Sequence, residues 1–301
     1  MLPVAFSSIY KYELPKGHRF PMEKYELLPQ QLLHEGTLIE SQFFTPTSLT
    51  TKQLLSTHSK EFLNKLESQT LSYHEIRRIG FPMKPILVER GKHIAGGTYQ
   101  CALKALDGSM AALNIAGGTH HSFADRGEGF CVFNDIAISA NLLLKEKRVT
   151  KVLIVDLDVH QGNGNAHIFK NNPAVFTFSM HGEKNYPLKK ESSDLDLGLR
   201  DGISDSEYLG LLYDTLPMLI DMVEPDIIFY QSGVDILEHD KLGRLNVSME
   251  GCRRRDHFVF RQASINKIPI VATMGGGYSP NIKHIIEAHA QTYREAMHFF
   301  G

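Results

Sequence analysis

"VLIVDLDVHQGNG", residues 152–164, begins as an uninterrupted apolar run and ends in carboxylates, an imidazole and an amide. Continuous rather than alternating apolarity predicts a strand buried on both faces, as in a parallel sheet covered by helices. Amphipathic helical patterns separate it from five runs of the same kind. These are "PVAFS" at 3–7, "AALNIAGG" at 111–118, "AVFTFSM" at 174–180, "DIIFYQSG" at 226–233 and "PIVATMGGG" at 269–277. The pattern predicts an α/β fold with a mostly parallel central sheet flanked by helices on both faces.

The rest of the chain gives no sign of a second domain. Its 301 residues contain no repeat, low-complexity tract or linker-like stretch, so we expect one domain spanning residues 1–301. A formal net charge of -2 leaves no electrostatic footprint for nucleic acid, and direct nucleic-acid binding is not expected. The one basic triplet, residues 253–255, is expected on a solvated helix face.

Cysteine usage and the N-terminus bear on the compartment. The three cysteines form no CxxC pair, which argues against a disulfide scaffold or a cysteine-ligated zinc site. The N-terminal sequence lacks the pattern of a signal peptide, and no apolar run approaches the roughly 20 residues that span a bilayer. We therefore expect a soluble protein of the reducing cytoplasm.

Two helices carry clear terminal signals. Ser204 and Glu207 have the spacing of a capping box, and Pro217 further along predicts a kink or break in that helix. For the last helix, Ser279 is the expected cap and Pro280 suits the first turn.

Polar or glycine-rich sequence follows four of the apolar runs: "GGTHHSF", "DLDVHQGNG", "QSGVD" and "MGGGY". In open α/β sheets, ligands bind outside the carboxyl ends of the strands. We therefore expect the functional site where these four endings meet.

The second ending has the composition of a metal site. Asp158 and His160 are separated by one residue, so both point to the same side of an extended backbone. Asp235 can complete the set if its strand is a neighbour. Two carboxylates, one imidazole and an open position suit catalytic zinc. For either residue alone, a helix cap or loop position is the commoner role.

The first and fourth endings offer acid–base and oxyanion chemistry. His120 and His121 form a tandem pair suited to general acid and base work near neutral pH, although a core histidine bonded to a carbonyl is the alternative for one of them. Tyr278 follows three glycines and can donate a hydrogen bond to an oxyanion. The alternative is that Tyr278 lies in a turn at the start of a helix and has only a packing role.

Taken together, four segments resemble the successive signatures of the zinc-dependent histone deacetylase family of the arginase/deacetylase superfamily. They are "GGTHHSFADRGEGFCVFND", "VDLDVHQGNG", "SGVDILEHDKLGRLNVS" and "GGGYS", and the match runs in the family's order from about residue 90 to 280. Earlier in the chain, "PKGHRFPMEKY" and "STHSKEFLNKL" resemble segments of class IV deacetylases and their bacterial relatives.

The resemblance implies a role for each matching residue. The implied ligands of zinc, or of ferrous iron, are Asp158, His160 and Asp235. The implied catalytic residues are the paired His120 and His121, the carbonyl-polarising Tyr278, Asp156 behind the first histidine, and Asn163. A structural potassium ion is implied at the side chains of Asp156 and Ser179 with the backbone carbonyls of Asp158, His160 and Met180. The implied acyl-lysine tunnel is lined by Gly129, Phe130, Tyr186 and Gly276.

Two departures from the family pattern affect the expected chemistry. Many deacetylases have aspartate at the position of Asn163, paired with the second histidine. An amide can still accept the imidazole N–H but supplies no negative charge, so we hypothesise a lower pKa for His121 than an aspartate partner would give. In addition, "RRIGFPMKP" lacks the acid that clamps the substrate backbone in class I members, which points away from a class I histone-tail enzyme.

The reaction implied is hydrolysis of an N-acyl amine, above all an ε-N-acyl-lysine on a protein or peptide. Three substrate classes remain open: lysine carrying a long fatty acyl chain, as class IV likeness suggests; acetylpolyamines or other small acetylated amines; and acetyl-lysine. A two-metal ureohydrolase would need more aspartate ligands than Asn163 and the single Asp235 provide. A non-catalytic binding protein on this fold would be expected to have lost a ligand, a histidine or the tyrosine.

Overall fold

The apolar runs form the strands of one eight-stranded sheet in the computed structural model, which describes residues 1–301. The strands are β1 (Val4–Ala5), β2 (Phe43–Phe44), β3 (Ala111–Asn114), β4 (Val152–Asp156), β5 (Val175–Gly182), β6 (Leu195–Leu199), β7 (Ile227–Gln231) and β8 (Ile270–Thr273). Their order across the sheet is β2-β1-β3-β8-β7-β4-β5-β6, and every neighbouring pair is parallel. The predicted fold class is confirmed.

All six predicted strands are present, and the two that were not predicted lie at the sheet edges. β2 is only two residues long. β6 reads "LDLGL" and is only partly buried, because an edge strand has a neighbour on one side alone. Continuous apolarity therefore identified the covered strands and missed the edges.

Ten α-helices connect the strands and cover the sheet. They are α1 (Lys24–His34), α2 (Thr51–Leu54), α3 (Lys60–Glu67), α4 (Tyr73–Ile79), α5 (Pro85–Lys104), α6 (Asp135–Lys145), α7 (Asn163–Phe169), α8 (Asp205–Val223), α9 (Met249–Ile265) and α10 (Ile282–Phe300). Strands and helices share one hydrophobic core of 83 buried residues. None of the helices combines the length and apolarity needed to cross a membrane.

The two helices with terminal signals differ in part from expectation. At the start of α8, the Glu207 carboxylate accepts from the Ser204 N–H at 3.3 Å, as a capping box requires. The prediction at Pro217 was a kink or a break, and the helix continues through this residue without a break; Leu216 beside it is buried in the core. For α10 the predicted cap is wrong: Asn281 caps the helix, while the Ser279 hydroxyl accepts from the Asn281 N–H in the turn before it.

The prediction that the basic triplet at 253–255 lies on a solvated helix face is wrong for Arg255. The Arg255 side chain is fully buried and donates to Asp256 at 2.8 Å. It also donates to the carbonyls of Gly233 at 2.6 Å and Ser232 at 3.2 Å, in the loop after β7. A third carbonyl, that of Leu157 after β4, lies at 3.4 Å. Arg255 thus joins the two loops that carry the predicted metal ligands.

Candidate active site

The four polar endings follow β3, β8, β7 and β4, which are consecutive in the sheet. Because all four strands are parallel, their carboxyl ends lie on one edge. β4 pairs directly with β7, with Asp156 opposite Gln231. The sheet therefore brings the loops that follow these strands into one place, as the sequence predicted.

The predicted metal ligands form a compact buried group. Ligand atoms of Asp158, His160 and Asp235 lie within 4.8 Å of one another. His160 Nδ1 is 3.1 Å from Asp158 Oδ1 and 3.1 Å from Asp235 Oδ2. Burial and the adjacent Asp158 charge raise the pKa of Asp235 to about 7. Negative charge on two adjacent carboxylates is unfavourable when both are buried away from water. A divalent cation bound between them would neutralise that charge.

Glycines leave space around these carboxylates. A Cβ atom on Gly276 would lie 2.0 Å from Asp235 Oδ2, and one on Gly233 would lie 2.2 Å from Asp158 Oδ2. The Gly276 N–H donates to Asp158 Oδ2 at 2.9 Å, which orients that carboxylate. The donor set and the room around it therefore fit a metal ion. Gly276, predicted in the tunnel wall, lies against the ligands themselves.

His120 is held by a carboxylate at the end of β4. Its Nδ1 lies 2.7 Å from Asp156 Oδ2. Burial alone would lower the pKa of His120, but the Asp156 and Asp158 carboxylates outweigh it and raise the pKa to about 9. This histidine therefore carries its proton readily.

His121 has the opposite electrostatic environment. Its Nδ1 lies 2.6 Å from Asn163 Oδ1, as the sequence predicted. Burial lowers the pKa of His121 well below its ordinary value, and positive charge on His120 and His160 lowers it further. The Asn163 hydrogen bond opposes this only in part. The two adjacent histidines are thus pushed apart in basicity, an arrangement typical of acid–base pairs.

Tyr278 is half-buried and lines the same cavity as the two histidines and His160. Its ring centroid lies 6.3 Å from that of His160 and 6.0 Å from that of Phe130. Its backbone N–H donates to Asp240 Oδ2 at 2.6 Å. Burial and the Asp235 charge raise the pKa of the phenol well above its ordinary value, so the hydroxyl keeps its proton and remains a donor.

The predicted tunnel residues line two adjoining cavities. Gly129 adopts φ +57°, and a Cβ there would lie 2.6 Å from the His121 ring; only glycine permits this approach. The Tyr186 ring stands edge-on to His121 at 5.0 Å. The inner cavity, of about 40 Å³, is lined by Asp158, His160 and residues of the β3 and β8 endings. The outer groove, of about 500 Å³, is lined by Phe130, Tyr186 and Tyr278 and opens outward.

The histidines, metal-ligand group and tyrosine fall within a stretch that matches a family model. Residues 18–293 match the model described as the histone deacetylase domain. The chain belongs to the histone deacetylase family. It is 40% identical over 294 residues to an uncharacterized protein of Picosynechococcus sp., covering 98% of both chains. It is 31% identical to histone deacetylase 2 of Arabidopsis thaliana, covering 94% of this chain and 76% of that protein.

A solved structure supports the histone deacetylase fold independently of the sequence match. The crystal structure of the HDA15 HD domain superposes with a TM-score of 0.84, covering 99% of this chain and 88% of that one at 21% identity. The finer class IV placement stays a prediction.

Glu128, in this candidate site of a histone deacetylase family member, was not predicted from the sequence. Glu128 is buried, and its Oε1 accepts from Asn163 Nδ2 at 2.7 Å and from the Tyr186 hydroxyl at 2.8 Å. Because the Asn163 amide nitrogen is engaged by this carboxylate, its oxygen is the atom that faces His121. Nothing in the spacing of "DRGEGF" indicates this role, since Glu128 and Asn163 lie 35 residues apart.

Lys24 was missed as well. Its ammonium is fully buried, donates to the Gly275 carbonyl at 2.9 Å and lies 5.8 Å from the Tyr278 ring centroid. Burial lowers the pKa of Lys24 to about 8, while the nearby carboxylates of Asp235 and Asp158 favour the charged form. The segment "PKGHRFPMEKY", which contains Lys24, resembles a family segment. That resemblance is the only feature of the sequence that indicates a role for Lys24.

The residues predicted to bind potassium lie behind the histidine pair. Asp156 and Ser179 are directly opposite in the β4–β5 ladder, and Met180 follows in β5. The Ser179 hydroxyl lies 3.0 Å from His181 Nδ1, and Asp156 Oδ1 accepts from the Asp158 N–H at 3.2 Å. The group is therefore brought together at two adjacent strand ends, and its occupation by an ion stays a prediction.

Proposed function

We propose that residues 1–301 form a single catalytic domain that hydrolyses ε-N-acyl-lysine and releases the acyl group as a carboxylic acid. The observation that carries the proposal is the convergence, around one small cavity, of a buried group able to hold a metal, two histidines of opposite basicity and a protonated phenol. Membership of a family of histone deacetylase-type hydrolases supports this reaction class.

Asp158, His160 and Asp235 are the proposed metal ligands. Zinc is the first choice for two carboxylates and one imidazole, and ferrous iron accepts the same donors. A metal ion bound there supplies Lewis acidity, which activates water and polarises the acyl carbonyl. Arg255 and the Gly276 N–H hold the ligand-bearing loops and one carboxylate in place.

His121 is the proposed general base. Its Nδ1 is taken by Asn163, so Nε2 is the atom left to accept a proton from the attacking water. The lowered pKa of His121 keeps it neutral, and therefore able to accept that proton, at neutral pH. A protonated histidine of the pair then transfers a proton to the leaving amine.

Tyr278 is the proposed oxyanion donor. Attack of water on the amide carbon places negative charge on the carbonyl oxygen, and a positioned O–H stabilises that charge more than it stabilises the ground state. The raised pKa of Tyr278 ensures that the phenol is protonated at this moment.

We infer a short acyl group rather than a fatty chain. The inner cavity next to the metal-ligand group measures about 40 Å³, which is room for roughly three water molecules. An acetyl methyl group fits there, whereas a fourteen-carbon chain does not. This ranks acetyl-lysine above the long-chain substrate that class IV likeness suggests.

The acyl-length inference is tested with one lysine peptide carried as the acetyl and as the fourteen-carbon derivative. We expect kcat/KM to favour acetyl by about tenfold or more, since the long chain must open the cavity against packed side chains. The release of each acid is measured with metal-loaded protein. A preference for the long chain would contradict the short pocket and leave the hydrolase proposal intact.

Asn163 provides a test of the acid–base assignment. Replacing it with aspartate should raise the pKa of His121, because a carboxylate stabilises the imidazolium. The base works only when neutral, so activity is lost as pH falls through that pKa. The acid limb of the kcat/KM profile should therefore move to higher pH.

The control for this test follows from Glu128, whose carboxylate would face the new aspartate. The Asn163→Asp change is therefore combined with Glu128→Gln, which restores a donor between the two positions. Glu128→Gln alone is the matched control, and its acid limb should move little. An unchanged limb in the double variant would remove His121 as the base.

We further propose potassium at the ends of β4 and β5, where Asp156 and Ser179 are paired. A cation there would offset part of the negative charge that Asp156 and Asp158 concentrate behind the histidines.

The reducing cytoplasm is the proposed compartment. All three cysteines are buried and free, and burial raises the pKa of each thiol, which disfavours the reactive thiolate.

A further inference from the structure

The outer groove carries charge of one sign. Its lining includes five basic side chains and no aspartate or glutamate. The basic residues are Arg19, Arg77, Arg78, Lys184 and Arg244. The whole chain has a formal net charge of -2, so this local excess of positive charge is not a reflection of overall composition.

Most of these cations have no acidic partner within the chain. Arg244 lies 3.5 Å from Asp201, and both side chains are exposed. The other four form no ion pair within the chain. Surface arginines and lysines usually have acidic neighbours interspersed among them, and a groove that lacks them favours an anionic ligand.

The cations are arranged around the entrance to the catalytic residues. The Arg19 guanidinium lies 5.0 Å from the centre of the Phe130 ring, which lines the way to His121 and Tyr278. Arg77 and Arg78 come from the end of α4, while Lys184 and Arg244 come from the loops after β5 and β7. Four separate segments therefore contribute charge to a groove of about 500 Å³.

We propose that this groove selects acyl-lysine within an acidic peptide segment, an inference that rests on the proposed hydrolase function. The five positive charges are spread over a groove much larger than a single carboxylate requires. This spacing favours an extended chain with several carboxylates over a small molecule with one. Tyr186, Leu242 and the 93% exposed Leu188 add apolar surface for the peptide between the charges.

The same charges disfavour two other substrates of this reaction class. Acetylpolyamines carry ammonium groups close to the acyl nitrogen, and lysine- and arginine-rich tails carry several cations on either side of the acylated residue. Both would bring positive charge to a groove with no carboxylate in its lining.

The test uses three acetyl-lysine peptides of equal length whose flanking residues are acidic, neutral or basic, together with N-acetylputrescine and a small N-acetyl-amine bearing one carboxylate. We expect kcat/KM for the acidic peptide to exceed that for the basic peptide by about tenfold or more at low ionic strength. The preference should shrink as added salt screens the charges, because the Debye length falls to about 10 Å at 0.1 M.

A charge-reversed variant identifies the residues responsible. Arg78→Glu combined with Lys184→Glu should reverse the order of the acidic and basic peptides. The neutral peptide is measured with the same variant, so that the ratio of kcat/KM for the acidic peptide to kcat/KM for the basic peptide reports the charge preference apart from any change in overall activity. Arg261→Glu, on the exposed face of α9, is the matched control and should leave the order unchanged.

The outcomes distinguish a failure of the hydrolase function from a failure of the acidic-peptide preference. If all three peptides, N-acetylputrescine and the carboxylate-bearing N-acetyl-amine are inert with metal-loaded protein, the hydrolase function itself is wrong. If the three peptides are hydrolysed equally, or if the small carboxylate-bearing amide or N-acetylputrescine is preferred to the acidic peptide, the hydrolase stands and the acidic-peptide inference is overturned.

Discussion

Asp235→Asn should lower kcat/KM for acetyl-lysine peptide by about 10³-fold or more, because a metal ion contributes several kcal/mol to catalysis and each 1.36 kcal/mol corresponds to a factor of ten. The substitution keeps an oxygen for the Val159 N–H, which donates to Asp235 Oδ1 at 3.0 Å. It removes one of the two negative charges that face His160 Nδ1. The measurements are peptide hydrolysis and bound metal per chain.

The control for this variant is Asp201→Asn, which removes a carboxylate at an exposed surface position. It should retain both metal and activity. Wild-type metal content and turnover in Asp235→Asn would eliminate the proposed ligand set. Lost metal with full turnover would show that the reaction does not use this site.

Tyr278→Phe should lower kcat by about 10² to 10³-fold, the range observed when one oxyanion donor is removed. In the proposed mechanism the hydroxyl acts in the transition state, so KM should change much less than kcat. The backbone N–H of residue 278 keeps its bond to Asp240, and the ring keeps its place beside Phe130. Bound metal should be unchanged, which distinguishes this loss from that in Asp235→Asn.

A second tyrosine of the groove is the matched control. Tyr186→Phe removes a hydroxyl that donates to Glu128 Oε1 at 2.8 Å rather than one aimed at the substrate carbonyl. We expect less than about a tenfold loss there, as for one ordinary hydrogen bond. Equal kinetics for Tyr278→Phe and wild type would remove Tyr278 from the mechanism.

The sequence predicted the covered part of the sheet and the edge on which the site lies. The runs at 152–156 and 227–231 are apolar at nearly every position because both faces of their strands are buried. Parallel strands bring their carboxyl ends together, so Asp235 was expected to lie beside Asp158 if their strands were neighbours, and β4 does pair with β7. The resemblance then supplied roles that spacing alone could not.

What the sequence did not predict depends on contacts between distant segments. Lys24 reaches the carbonyl of a residue 251 positions away, and Glu128 contacts Asn163 and Tyr186 from a glycine-rich loop. The charge of the groove comes from four segments, none of which is a basic block by itself. Arg255 was predicted at the surface because its neighbours in the triplet are charged. Its guanidinium is instead buried, with its charge balanced by Asp256 and its remaining N–H groups donating to three carbonyls.

The buried guanidinium of Arg255 has a consequence for the order of folding and metal uptake. It bridges the turns after β4 and β7 by means of the chain's own atoms, with a carboxylate partner that is not a metal ligand. These contacts hold the loops that carry the proposed ligands without any bond to an ion. We therefore expect the protein to fold without its proposed metal, unlike small domains that fold only around theirs. On this view the proposed metal ion is taken up after synthesis as a separate step, governed by the supply of the ion in the cell.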